Sequence, residues 1–279
     1  MIEPQESNII RLANVPQLTT HRSTMSQTAA HCHRHTDASG GHHAHVYPAP
    51  GGLKEANRQW FDSQAHNHEG GYEAQPMAQD MAKKASTVFL DTFPFDKSQT
   101  IVMDFACGTG MISQHLAAHA KKIIGVDISP NSVDFYNERA AKQGVSPNEM
   151  KAICADLTER GKTEHDLFDG IQFDVIVCSG AYHHFDDINA MTKILASYLK
   201  PGTGVLAVID ILTSTEAASL LSKHDHIVAH TSGFDEELIR FAFINTGGLR
   251  EFSFVPAFDM TWHEKDVCLF VAKGVSPSL

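Results

Sequence analysis

The chain has 279 residues, enough for one large hydrophobic core, and its 42% hydrophobic and 20% charged residues are ordinary for a globular protein. A formal net charge of -11, from 33 acids against 22 lysines and arginines with no basic block, excludes a surface that tracks phosphates, so no nucleic acid partner is expected. No apolar run reaches the roughly 18 residues of a membrane span, which argues for a soluble protein without a membrane partner.

Five scattered cysteines, odd in number, point to reduced thiols and a cytoplasmic setting. In chain order, residues 1–52 lack a sustained helical or strand period and are rich in Ser, Thr, Gln, Pro and Gly. Such a composition cannot bury enough apolar surface to offset its ordering entropy, so a disordered tail is expected. Arg11, Arg22 and Arg34 resemble a mitochondrial presequence only faintly, because amphipathic character is poor and Glu3 and Glu6 precede them. His31, Cys32, His33, His35, His42, His43 and His45 would bind soft metals to some degree. No framework fixes them and the spacing matches no structural zinc motif, so the tract reads as a solvated linker and no metal site is assigned.

Order is expected from Leu53. Leu53–Ser63, with Trp60 and Phe61, and Met77–Leu90, with Met77, Met81, Ala85, Val88 and Phe89 at helical spacing, predict two amphipathic helices. The polar, glycine-rich stretch His66–Tyr72 predicts a loop between them. Lying before the first strand, residues 53–95 can fold over a ligand as a helical lid, in which Trp60 serves either as core or as a ligand contact.

The rest of the chain is organised around Ile101-Val102-Met103-Asp104-Phe105-Ala106-Cys107-Gly108-Thr109-Gly110, which reads as strand, tight loop and the start of a helix. An apolar run that ends on an acid and turns through Gly-x-Gly brings backbone N–H groups and a helix N-terminus to the carboxyl edge of a parallel sheet. The next strand, Lys122–Val126, ends on Asp127, placed to accept both hydroxyls of a ribose. Two ligands compete for this arrangement, a nicotinamide or flavin dinucleotide and S-adenosylmethionine. The dinucleotide fingerprint needs a third small residue, usually Gly, where this chain has Ser113. Asp104 would repel a pyrophosphate and attract a ligand that carries an ammonium and a sulfonium.

Beyond this loop, Met150–Ala155, Phe173–Cys178 and Gly204–Ile211 read as strands, and Met111–His119, Ser132–Gln143 and Ile188–Leu199 as helices. This alternation predicts a doubly wound, mostly parallel sheet over residues 96–279. A polar insert, Thr213–Phe234, a helix, Asp235–Asn245, and two strands around Glu251–Phe258 and Asp266–Lys273 complete the chain; the closeness of the last two predicts an antiparallel pair at one edge.

Asp104–Gly110 resembles motif I of the class I S-adenosylmethionine-dependent methyltransferases, with Ala106 where Gly is usual. Trp60–Ala65, Tyr182–Phe185, Asp210–Ile211 and His230–Asp235 extend the resemblance to small methyltransferases of type 11/12 and the ubiquinone-biosynthesis-like group. The resemblance implies a seven-stranded Rossmann-like sheet and S-adenosylmethionine as co-substrate, held by Asp104, Ala106, Cys107, Gly108, Gly110, Asp127, Ile128, Asp156, Leu157 and Ser179. In it Asp156 accepts the adenine amine, while Leu157 and Ile128 pack on the ring. Methyl transfer needs an aligned nucleophile, exclusion of water and, for some acceptors, a base, but no metal. His183, His184 and His230 are the candidate bases. A small-molecule acceptor and a monomer or homodimer are expected; rival readings are a non-catalytic binding protein of the same fold and a protein methyltransferase.

Overall fold

The computed structural model describes residues 52–65, 71, 74–159 and 167–278. The tail read over 1–52 and the loop His66–Tyr72 therefore lie outside the described residues, apart from Gly52 and Gly71.

Seven strands form one sheet: β1 (Ile101–Phe105), β2 (Lys122–Asp127), β3 (Met150–Cys154), β4 (Val175–Ser179), β5 (Val205–Ile211), β6 (Arg250–Trp262) and β7 (Lys265–Val275), in the order β3-β2-β1-β4-β5-β7-β6. β1 to β5 pair in parallel, and β7 enters antiparallel between β5 and β6. The central parallel strands β1, β4 and β5 are largely apolar because helices cover both faces; every residue of β5 is buried. The chain winds from β1 out to β3 and then returns to β4 on the other side of β1. A crevice consequently opens at the carboxyl ends of β1 and β4, where the winding reverses. This is the doubly wound, mostly parallel architecture that the alternation of elements predicts.

α1 (Gly52–Ala65) and α2 (Pro76–Thr92) precede the sheet; α3 (Met111–Leu116), α4 (Pro130–Lys142), α5 (Ile188–Ala196), α6 (Thr215–Leu221) and α7 (Glu236–Arg240) follow their strands. Local chemistry fixes the starts of four of them. The side chains of Ser129, Asp187, Ser214 and Asp235 accept backbone N–H groups at the first turns of α4, α5, α6 and α7.

Three stretches differ from expectation. The segment Thr213–Phe234, read as a polar insert, contains α6 and buries Ala217, Leu220, Leu221, Ile227 and Val228 in the main core. Its apolar residues come in short pairs that show no period, yet they join one buried cluster in which α6 packs against β7. The helix expected over Asp235–Asn245 is α7 followed by a π-helical turn, Phe241–Thr246. β6 and β7 run past their expected ends and meet at His263-Glu264, both with left-handed φ, 46° and 61°, as a tight hairpin turn requires.

Within the first loop, Gly110 has φ 88° and starts α3, and a Cβ built there would stand 2.5 Å from the Tyr136 ring. Tyr136 is 1% exposed and has nowhere to retreat. Gly110→Ala should therefore destabilise the protein by about 1–3 kcal/mol through strain and overpacking, read as a lower thermal midpoint. A midpoint equal to that of the wild type would show that the loop and ring rearrange freely.

Candidate active site

The first loop carries the site. Ala106 sits at φ 54°, a conformation that Gly adopts without cost and Ala does not, so the departure from Gly stores strain beside the crevice. Gly108, at φ 52°, has no heavy atom within 4 Å of a built Cβ, so its backbone fronts open space. Asp127, at the end of β2, ties this loop down: its Oδ2 accepts the Gly108 N–H at 2.8 Å and its Oδ1 the Ser129 N–H at 2.9 Å. Burial raises the Asp127 pKa, and those two N–H groups partly offset the rise.

Asp104 is 2% exposed and accepts a 2.7 Å hydrogen bond from Ser113 Oγ. Burial pushes its carboxyl up to about 7, with the Ser113 bond opposing. A cationic ligand beside it would favour the ionised form. Donor affinity should thus rise with pH up to about 7 and level off above, with a proton released on binding below that value. Calorimetry of S-adenosylmethionine across pH 5.5–8 checks it; a flat profile like that expected of Asp104→Asn would refute the coupling.

At the end of β3, Asp156 is already engaged. Lys54 Nζ of α1 donates to its Oδ2 at 2.5 Å, while the Thr158 N–H and Oγ1 donate to its Oδ1 at 2.8 and 2.6 Å. Burial would raise this carboxyl, but the Lys54 and Thr158 bonds hold it below its usual range. A second fastening lies further along α1, where Asp62 Oδ1 accepts from Ser129 Oγ at 2.5 Å and from the Asn131 N–H at 3.2 Å. The first helix is thereby bound to the sheet end and to the start of α4.

Beyond β4 the chain makes a short 3-10 turn, Tyr182–His184, that presents two imidazoles with centroids 4.2 Å apart. They are not equivalent. His183 Nδ1 lies 2.8 Å from Asp210 Oδ1, both side chains being buried, and the His183 N–H donates to Asp210 Oδ2 at 3.3 Å. Burial alone would raise the Asp210 pKa; the facing His183 outweighs it and holds the carboxyl ionised, below its usual range. An ionised acceptor at Nδ1 places the ring proton there and leaves Nε2 to act as a base. His184 Nδ1 donates instead to the Ile227 carbonyl at 2.6 Å, and burial drives its pKa down to about 3, so this ring is neutral.

These elements surround a cavity of ≈ 610 Å³, within the range of about 300–1,000 Å³ usual for small-molecule sites. Every candidate site residue read from the sequence lines it except Gly110 and His230. Gly110 acts through loop geometry. His230 bonds the Phe185 carbonyl through Nε2 at 3.1 Å and packs on Phe234 at 4.9 Å, while the Ala229 and His230 N–H groups donate to His183 O. It braces the loop from behind. Sequence reasoning gave no role to Asp210, Asn57, Asp62, Lys54 or the hairpin residues Trp262 and His263. A carboxylate inside the fully buried strand Val205–Ile211 was the available signal, since such a group needs a partner.

The residues present fit S-adenosylmethionine. Asp127 is anchored by two N–H groups and keeps unused lone pairs for hydroxyls, Gly108 leaves space for a ligand, and Ser179 Oγ at the end of β4 is buried without a hydrogen-bond partner among the described residues.

Residues 103–205 match the family described as a methyltransferase domain. An uncharacterised methyltransferase of Schizosaccharomyces pombe is 37% identical over 153 residues, 53% of this chain and 53% of that protein. A ubiquinone biosynthesis O-methyltransferase of Coxiella burnetii is 33% identical over 101 residues, 36% of this chain and 39% of that protein. The chain thus spans about half or less of the length of these curated relatives. The structure of magnesium protoporphyrin IX methyltransferase from Synechocystis, with bound S-adenosylhomocysteine, matches with a TM-score of 0.57 at 18% identity, covering 80% of this chain and 100% of that one. Residues 103–205 are thus similar in sequence to methyltransferase domains, and the fold of the described residues is that of the class I methyltransferases, as the resemblance implied.

Proposed function

We propose that the protein transfers a methyl group from S-adenosylmethionine to a small, uncharged, largely apolar acceptor with a weakly acidic O–H, S–H or N–H, using His183 as general base and no metal. The His183–Asp210 pair carries this reading, because a buried carboxylate that fixes the tautomer of a cavity-lining imidazole supplies what a base requires. When bound, S-adenosylmethionine supplies an already activated methyl group. Asp210 holds the Nδ1 proton, and His183 Nε2 takes the acceptor proton as the nucleophile forms. Neutral His184 offers its Nε2 only as a hydrogen-bond acceptor, and α1 and α2 act as a lid that keeps water away.

The acceptor class follows from the wall. Beyond the strand ends the cavity is bounded by Trp60, Met77, Met81, Ile227, Met260 and Trp262, and Lys54, which Asp156 holds, is the lysine or arginine among its described lining residues. An anionic acceptor would lose its hydration there without gaining a counter-charge. Incubating the protein with methyl-labelled donor and a metabolite extract tests the proposal. A labelled apolar product is expected; label found only on polypeptide would favour a protein acceptor, and no S-adenosylhomocysteine formed would refute turnover.

A further inference from the structure

Asn57 occupies the inner face of α1, is 4% exposed and lines the cavity. Its Nδ2 donates to the Leu53 carbonyl at 3.0 Å, which fixes the orientation of the amide. Its Oδ1 is then turned away from the helix and is buried with no hydrogen-bond partner among the described residues. A buried carbonyl oxygen without a partner is costly, and a Leu or Ala would satisfy the inner face of an amphipathic helix without that cost.

The path of α1 says what lies beneath it. Lys54 stands over the end of β3 through Asp156, and Phe61 rests on His184 beyond β4, with ring centroids 5.5 Å apart. Between those strands the order is β3-β2-β1-β4. Helix residues 54 to 61 rise about 10 Å, and the three steps from β3 to β4 cover about 14 Å, so the helix turn holding Asn57 passes over β2 and β1. Those two strand ends carry Asp127 and the Gly108 loop. We propose that Asn57 is a donor-binding residue whose Oδ1 accepts a hydrogen bond from the nucleoside part of S-adenosylmethionine, either a ribose hydroxyl or the adenine amine. This rests on the methyltransferase reading above. The lid then recognises the donor directly as well as covering it, and the unsatisfied oxygen of the free protein is satisfied by ligand.

The test uses full-length Asn57→Ala and Asn57→Leu, with S-adenosylhomocysteine and 5′-methylthioadenosine as probes in calorimetric titrations. Both variants should bind both probes about tenfold more weakly. Their ligand-free thermal midpoints should hold or rise, because the orphaned oxygen is gone. Wild-type affinity in Asn57→Ala overturns the proposal, and so does a loss confined to Asn57→Leu, which would mean crowding. A midpoint that falls together with the affinity assigns Asn57 a structural role and overturns it as well. Loss limited to S-adenosylhomocysteine would put the contact on the amino-acid moiety and sink the nucleoside assignment. Should the wild type bind neither probe, the methyltransferase reading itself fails and takes this proposal with it.

Discussion

His183→Ala is expected to lower turnover by about 10²–10⁴ while leaving S-adenosylhomocysteine affinity within a few-fold. On the proposed reading the imidazole meets the acceptor, while the donor contacts Asp104, Gly108 and Asp127 lie at the ends of β1 and β2, so the two effects separate. Asp210→Asn should cost turnover through the same ring, since an amide accepts the Nδ1 proton less strongly and leaves the imidazole free to adopt the wrong tautomer. Combining the two changes should cost little more than His183→Ala alone, because Asp210 acts through His183. The residual rate of His183→Ala should climb with pH as solvent base or acceptor ionisation replaces the missing group. His184→Ala is the control. With its pKa depressed to about 3 by burial, that ring accepts a proton poorly at neutral pH, and its loss should change packing more than the pH profile. If His183→Ala keeps near-normal turnover, the pair is structural and the reaction runs without a base.

Asp127→Ala should weaken S-adenosylmethionine and S-adenosylhomocysteine by about 2–4 kcal/mol. Two losses combine. The ribose would lose a charged acceptor, and the Gly108 and Ser129 N–H groups would lose the carboxylate that arranges them. Asp127→Asn should lie between Ala and wild type, since one amide oxygen can still serve one of those N–H groups while the NH₂ opposes the other. Affinity measured by calorimetry checks both variants, and unchanged affinity in Asp127→Ala would place the ligand elsewhere.

What could be read from the sequence follows a physical divide. β1, β2, β4 and β5 announce themselves because a strand buried on both faces must be largely apolar, and the loop Asp104–Gly110 because its backbone conformations demand small residues. The strand-end acids Asp127 and Asp156 were legible for the same local reason. Asp210 was visible as a residue but not as a partner, since nothing local marks its pairing with a histidine 27 positions away. The same long-range bonds separate His183 from His184 and remove His230 from the cavity wall, although all three look alike in sequence. α6 and the bonds that fasten α1 went unread because short helices carry too little period, and because single polar contacts such as Asp62 with Ser129 leave no pattern.

The fastening of α1 at both Asp156 and Ser129 bears on the sequence of events in a catalytic cycle. On the proposed reading the donor lies beneath that helix and departs once one of the two attachments opens, whereas the acceptor lies toward the hairpin residues Trp262 and His263, which line the cavity. The spent donor should therefore be the last to leave, and steady-state kinetics should show a compulsory order, with S-adenosylhomocysteine competing against S-adenosylmethionine but not against the acceptor. Lys54→Met, which releases one attachment, should quicken that departure and raise the maximal rate wherever it is the slow step.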